Sequence, residues 1–248
     1  MNSSPPVAVI TGASQGLGRS IAEKLAAAGH RVVVNYFRSA EGANETVAAI
    51  ARAGGKAIAV RADVREPDQV AALVAEAKRA FGPVEILVNN ATGPQPMYPI
   101  EKYTWKDFQD QLDFFVKAPV LAMQAVVAEM KAAKWGRVIQ IGSEVFEVGN
   151  PNFSAYVAAK GAMVGLTRAW STEFGPWQIT VNLVAPGWIP VARHAGTPEA
   201  ALAEYARGVP LRRQGTPADV ADTVTYLASE GAGFVTGQCL AVNGGNTF

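Results

Sequence analysis

Short runs of β-branched and aliphatic residues alternate along the chain with longer, alanine-rich segments whose apolar positions recur at helical spacing. The runs predict strands at Val7–Ile10, Arg31–Tyr36, Ala57–Val60, Ile86–Asn89, Arg137–Ile141, Ile179–Val184 and Cys239–Val242. Several are apolar at successive positions, as in Val32-Val33-Val34, the pattern of a strand covered by helices on both faces. The intervening segments read as helices with legible ends. Arg19–Ala28 is stopped by Gly29, a second helix opens after Glu66-Pro67, and a third opens at Thr216-Pro217 with Asp219 in its first turn. Connections too long for hairpins predict one α/β unit, a parallel sheet with right-handed crossovers. No linker, low-complexity tract or repeat divides residues 1–248, so one domain is expected.

Composition narrows the function classes. Charged residues make up 17% of the 248 residues, against about 25% in an average chain. Hydrophobic residues reach 49%, which implies a large buried core and excludes disorder. The net charge of +1 gives no sign of a nucleic-acid or membrane-surface partner. One cysteine, Cys239, allows no intrachain disulfide and fits a reducing compartment. Met1–Pro6 lacks the basic start and apolar run of a secretory signal, and no stretch approaches the roughly 18 apolar residues of a membrane span. A soluble, cytoplasmic protein is the default, and no metal is expected.

Chemistry enters at the first turn. Directly after Val7–Ile10 comes Thr11-Gly12-Ala13-Ser14-Gln15-Gly16-Leu17-Gly18, followed at once by a helix. Glycines there let the backbone turn tightly and approach a pyrophosphate, whose charge then meets the unpaired N–H groups and positive dipole end of the helix. The same residues also spell G-x-S-x-G, the nucleophile elbow of serine hydrolases, with Ser14 as nucleophile and His194 as its base. An elbow needs an oxyanion-hole segment from an earlier strand–helix loop, and only eleven residues precede Gly12.

A tyrosine four residues before a lysine on a helix places phenol and ammonium on one face, where the cation lowers the phenol's pKa and readies it for proton transfer. Tyr156 and Lys160 have this spacing, and so do Tyr98 and Lys102. Pro94, Pro96 and Pro99 crowd the second pair, whereas Ser154–Phe174 contains no proline and can carry one unbroken helical face. Ser143 lies thirteen residues before Tyr156, at the carboxyl end of the strand Arg137–Ile141, the end at which open α/β sheets bind ligands. Its hydroxyl would orient a carbonyl beside the phenol.

Taken together, Thr11–Gly18, Asn89-Asn90-Ala91, Ser143, Tyr156 with Lys160, and Pro186-Gly187 resemble the short-chain dehydrogenase/reductase family across nearly the whole chain, closest to the bacterial 3-oxoacyl-[acyl-carrier-protein] reductases. The resemblance implies a single Rossmann-type domain, doubly wound, with seven parallel strands and helices on both faces, a nicotinamide cofactor and a homotetramer. Carried to this sequence, it makes Tyr156 the acid or base, has Lys160 hold the nicotinamide ribose, and has Ser143 position the substrate carbonyl. It assigns the cofactor to Gly12, Ser14, Gln15, Gly16, Leu17 and Gly18, to Asp63 and Val64 at the adenine, Asn90 at the adenosine ribose, and Pro186, Gly187 and Ile189 at the nicotinamide. A preference for NADP(H), with NAD(H) left open, comes from the end of the second strand. Asn35, Tyr36, Phe37, Arg38 and Ser39 include no carboxylate, and Arg38 suits a 2′-phosphate.

Four positions depart from the family pattern. Phe115 stands where an asparagine of the proton relay is usual, Thr92 replaces a glycine, Val191 a threonine, and Trp177 a basic residue used in carrier-protein docking, although Lys134 keeps a second basic position. A segment from Gly187 to about Arg207 is expected to cover the substrate, with Trp188 and His194 from it and Phe146 and Phe153 from the loop after Ser143 lining an apolar pocket. A ketone or alcohol, free or carrier-bound, suits that pocket. Three functions follow in order: an NADP(H)-dependent carbonyl reductase, a dinucleotide-binding protein with weak or no turnover because of Phe115, and a serine hydrolase using Ser14.

Overall fold

The computed structural model describes residues 4–191 and 196–248. Seven strands, β1 (Val7–Ile10), β2 (Arg31–Tyr36), β3 (Lys56–Arg61), β4 (Val84–Asn89), β5 (Gly136–Ile141), β6 (Ile179–Pro186) and β7 (Cys239–Val242), form one sheet in the order β3-β2-β1-β4-β5-β6-β7. Every neighbouring pair is parallel. The order turns back at β1 and β4, so the chain diverges there and leaves a crevice at their carboxyl ends, where such sheets take ligands. Four strands outrun their apolar runs, β5 by the single residue Gly136. β3 gains Lys56 and Arg61, which pair with Arg31 and Tyr36 through backbone alone, and β4 starts two residues early at Val84. β6 continues to Pro186, a last residue at which the missing N–H breaks no interior ladder.

Nine helices connect the strands among the described residues: α1 (Gly16–Ala27), α2 (Ala40–Arg52), α3 (Pro67–Phe81), α4 (Trp105–Leu112), α5 (Ala118–Ala133), α6 (Val145–Val148), α7 (Ser154–Phe174), α8 (Glu199–Gly208) and α9 (Pro217–Ala228). Successive residues of one strand feed opposite cores. Ala8, Ile10, Val32 and Val34 pack with Ile21 and Leu25 of α1 and Val224 and Leu227 of α9. Val7, Val9 and Val33 pack with Leu73 of α3 and Val126 and Met130 of α5. That double burial is why the strands read as continuous apolar runs.

α9 opens as its sequence predicts: Thr216 and Asp219 form a reciprocal capping box, with Pro217 in the first turn. α4 and α5 join without a break through a π-turn at Asp113–Lys117, making one helix of 29 residues. This helix is long and apolar enough to cross a membrane, although charged residues interrupt its apolar positions in the sequence. Ala122, Met123, Val126 and Met130 instead bury its stripe in the core.

Candidate active site

The glycine turn carries the backbone geometry that dinucleotide binding requires. Gly12 and Gly16 adopt φ of +64° and +55°, and a Cβ on Gly12 would lie 2.9 Å from the Ala91 Cα. Gln15 at the N-cap of α1 makes no side-chain capping hydrogen bond, so its own side chain does not take up the first amides, which face an anion in such turns. Three asparagine or threonine side chains hold the turn. Asn35 Oδ1 accepts the Gly12 N–H at 3.1 Å, Asn90 Nδ2 donates to the Thr11 carbonyl at 2.8 Å, and Thr11 Oγ1 accepts the Asn90 and Ala91 N–H groups at 2.9 and 3.0 Å. Asn90 therefore fastens β4 to the turn, a task the resemblance alone does not assign it.

Asn35 has a second bracing role. It is 1% exposed, and its amide donates to the Ala62 carbonyl at 3.1 Å, so it ties the turn to β3 and does not face a 2′-phosphate. Arg38 is exposed just beyond it, and Ser39 caps α2 by accepting the Gly42 N–H at 3.2 Å. A Cβ on Gly42 would lie 2.6 Å from the Ser14 carbonyl oxygen, which places the α2 start against the glycine turn. Asp63 is buried after β3 and is gripped by Arg65 at 2.6 and 2.9 Å, an ion pair that holds its carboxyl below the usual aspartate range. Val64 lines a small cavity with Thr11, Asn89, Phe114, Phe115 and Met163. Ser14 has no histidine beside it among the described residues; His30 lies past the opposite end of α1, and His194 is outside the described residues.

Tyr156 and Lys160 lie together on α7, with the Lys160 ammonium 5.5 Å from the Tyr156 ring and reaching the end of β5, the strand that Ser143 follows. Both α7 residues are buried, at 7% and 4% exposure, and Lys160 Nζ donates to the Ile141 carbonyl at 2.7 Å, two residues before Ser143. Ser143 Oγ accepts the Val145 N–H at 3.4 Å and so opens α6. Phe115 is 2% exposed. The π-turn brings its ring to 3.8 Å from Lys160 Nζ, and it meets the Tyr156 ring edge-on at 5.3 Å. The position usual for a polar relay residue is thus filled by an aromatic face over the ammonium. Tyr98 and Lys102 share no helical face: Tyr98 is exposed and Lys102 ends a 3₁₀ turn, Ile100–Lys102.

Phe153 stacks on Tyr156 at 4.6 Å and 15°, whereas Phe146 is half-exposed and rests on Gly161. Pro186–Val191 passes over the glycine turn, since a Cβ on Gly16 would lie 3.5 Å from Val191. Ile189 packs into the core, and Trp188 lines an open cleft with Gly187, Tyr205, Arg213 and Asn243. Two features had no signal in the sequence. One is the π-turn that delivers Phe115; the other is Glu144, buried next to Ser143.

The chain is similar to known proteins over nearly its whole length. Residues 12–247 match the family model described as enoyl-(acyl carrier protein) reductase. The chain is 37% identical over 240 residues, 96% of each protein, to 3-oxoacyl-[acyl-carrier-protein] reductase of Staphylococcus aureus. It is 40% identical over 243 residues, again 96% of each, to an uncharacterized oxidoreductase of Methylorubrum extorquens. A short-chain dehydrogenase/reductase from Serratia marcescens superimposes with a TM-score of 0.91 at 32% identity, covering 99% of both chains.

Proposed function

Because this chain belongs to the short-chain dehydrogenase/reductase family of oxidoreductases, which act on CH–OH and C=O groups with a nicotinamide dinucleotide, we propose that it is an NADP(H)-dependent carbonyl reductase. Its substrate is a ketone with an apolar body, a 3-oxoacyl thioester included, and it works as a single-domain subunit of a cytoplasmic homotetramer. One observation carries the reading: Tyr156 and Lys160 are buried together at the carboxyl end of β5, two residues from Ser143.

The fit to a dinucleotide rests on the cradle at Gly12, where a side chain would strike Ala91, and on the α1 terminus, which its N-cap residue Gln15 leaves without a side-chain cap. Gly12–Gly18 would hold the pyrophosphate, Asp63 and Val64 the adenine, Arg38 the 2′-phosphate, and Pro186–Ile189 the nicotinamide. When bound, the nicotinamide supplies or accepts the hydride. The chain's own residues do the rest. Ser143 donates a hydrogen bond to the substrate carbonyl, Tyr156 gives the proton to the forming alkoxide, and Lys160 stabilises the phenolate that results. Phe153 and Tyr156 provide stacked aromatic surface for an apolar substrate.

The test is NADPH oxidation across a panel of aliphatic, aromatic and alicyclic ketones and 3-oxoacyl thioesters. Turnover of one class supports the reading. A second reading, a dinucleotide-binding protein with little turnover, is favoured by Phe115 over the Lys160 ammonium. Tight NADPH binding without turnover on any ketone would support it.

A further inference from the structure

The mechanism above leaves one buried acid beside the reacting groups unused. Glu144 follows Ser143 directly, is 6% exposed, and forms no ion pair among the described residues. Both its oxygens are nonetheless satisfied. Oε1 accepts the Tyr205 hydroxyl at 2.9 Å and Oε2 accepts the Asn246 amide at 2.9 Å. The Tyr205 oxygen in turn accepts the Trp188 N–H at 2.8 Å, and the two rings meet edge-on at 5.4 Å. A Cβ on Gly187 would lie 2.5 Å from that hydroxyl, so the backbone at Pro186–Trp188 is pressed directly against it.

Four segments far apart in sequence therefore meet at one carboxylate: the loop after β5, the start of the Pro186–Ile189 segment, α8 and the chain's last residues. α8 buries none of its own residues, so little apolar packing holds it down. A buried carboxylate without a cation costs free energy unless hydrogen bonds replace its water, and here they do so only while α8 and Asn246 are docked. Burial beside Glu144 pushes the Tyr205 hydroxyl up to about 12, which keeps it a donor at any working pH.

We propose that Glu144 is a positioning residue that latches α8 and the C-terminal segment onto the catalytic loop and thereby fixes Trp188 beside the nicotinamide and substrate. The consequence for turnover rests on the reductase reading; the docking itself does not. Losing the latch lowers the fraction of molecules with Trp188 in place, and apparent affinity falls by that fraction while a saturating substrate restores much of the rate.

The experiment compares wild type with Glu144→Ala, Tyr205→Phe, Glu144→Gln and the double variant Glu144→Ala/Tyr205→Phe. It reads the ketone KM, kcat, and the rate of trypsin cleavage after Arg207 with NADPH present. Each of the first two variants is expected to raise KM about tenfold, with a smaller loss in kcat. Each is also expected to speed cleavage severalfold or more, because cleavage follows the undocked population and most molecules are undocked when apparent affinity has fallen tenfold. Tyr205→Phe keeps the ring against Trp188 and covers the case in which Glu144→Ala does not fold. Glu144→Gln retains an acceptor for Tyr205 and should recover most of both properties, and the double variant should be no worse than either single one. Unchanged KM and cleavage in Tyr205→Phe, additive losses, or Glu144→Gln as damaged as Glu144→Ala would overturn the latch. If wild type reduces no ketone, the reductase reading fails, and the cleavage rates alone decide the latch.

Discussion

Cofactor choice falls to single residues at the end of β2. An aspartate there would bind ribose hydroxyls and repel a 2′-phosphate, and the chain instead runs Asn35-Tyr36-Phe37-Arg38-Ser39. With Asn35 sealed under the glycine turn, discrimination passes to Arg38 and to the α2 terminus that Ser39 caps beside Ser14. A hydrogen bond to a charged group is worth roughly 1.5 to 3 kcal/mol, or about ten- to a hundredfold in affinity. Arg38→Ala is therefore expected to cut the NADPH-over-NADH ratio of kcat/KM by that range. A ratio the substitution leaves untouched would remove Arg38 from the site. Nearby, the Arg65 grip on Asp63 is a partly buried ion pair that holds the Asp63 carboxyl below the usual aspartate range.

Two helical elements set how well the scaffold and its site perform. At α9, Arg213 clamps Asp219 through both oxygens at 2.8 and 2.9 Å while Thr216 completes the capping box, and these bonds hold the Asp219 carboxyl well below the usual aspartate range. A depressed carboxyl stabilises the fold above its unfolded pKa, and that contribution disappears as pH falls through the folded value. Asp219→Asn should cost about 1 kcal/mol at neutral pH, discounted for its partial exposure. The gap to wild type should begin to narrow below about pH 4 and shrink further as pH falls toward the depressed folded value. Thermal melts across that range check the sign; a gap that widens in acid would contradict it. At the π-turn, Phe115→Asn would uncover the Lys160 ammonium and open a polar path to it, so turnover is expected to rise, with far-UV circular dichroism and Tm taken beside it. A folded variant with lower turnover would show that the aromatic face serves catalysis. How far such elements were legible depends on burial. Strand centres such as Val32–Val34 could be read because both faces are covered, whereas Lys56 and Arg61 join β3 through backbone alone. α1 begins at Gly16, three residues before its apolar pattern, because the glycines that discourage a helix open this one at an anion-binding turn. Neither the extra residue in the π-turn nor the Glu144 network leaves a periodic trace, since each depends on partners distant in sequence.

At the scale of the whole molecule, the topology gathers one chemistry at one end of the sheet. β1 delivers the glycine turn, β2 and β4 the asparagines that brace it, Asn35 and Asn90, β5 Ser143, and β6 the Pro186–Ile189 segment, all at carboxyl ends. Elsewhere the surface carries apolar residues that a monomer leaves to water. Trp105 is 71% exposed, Phe234 and Phe248 are fully so, and β7 ends the sheet as an unpaired edge. The homotetramer proposed above would cover such surface, and light scattering should return four chains; a monomeric mass would contradict it. What the gathered site does turns on Tyr156. The most direct test is turnover of the best ketone by wild type and by Tyr156→Phe, with NADPH affinity measured for both and Tyr98→Phe alongside. A proton donor held in place supplies a factor of roughly 10² to 10⁴, so Tyr156→Phe should lose about 10² or more in kcat while binding NADPH as wild type does and Tyr98→Phe stays unchanged. Near-normal turnover in Tyr156→Phe would contradict the assignment.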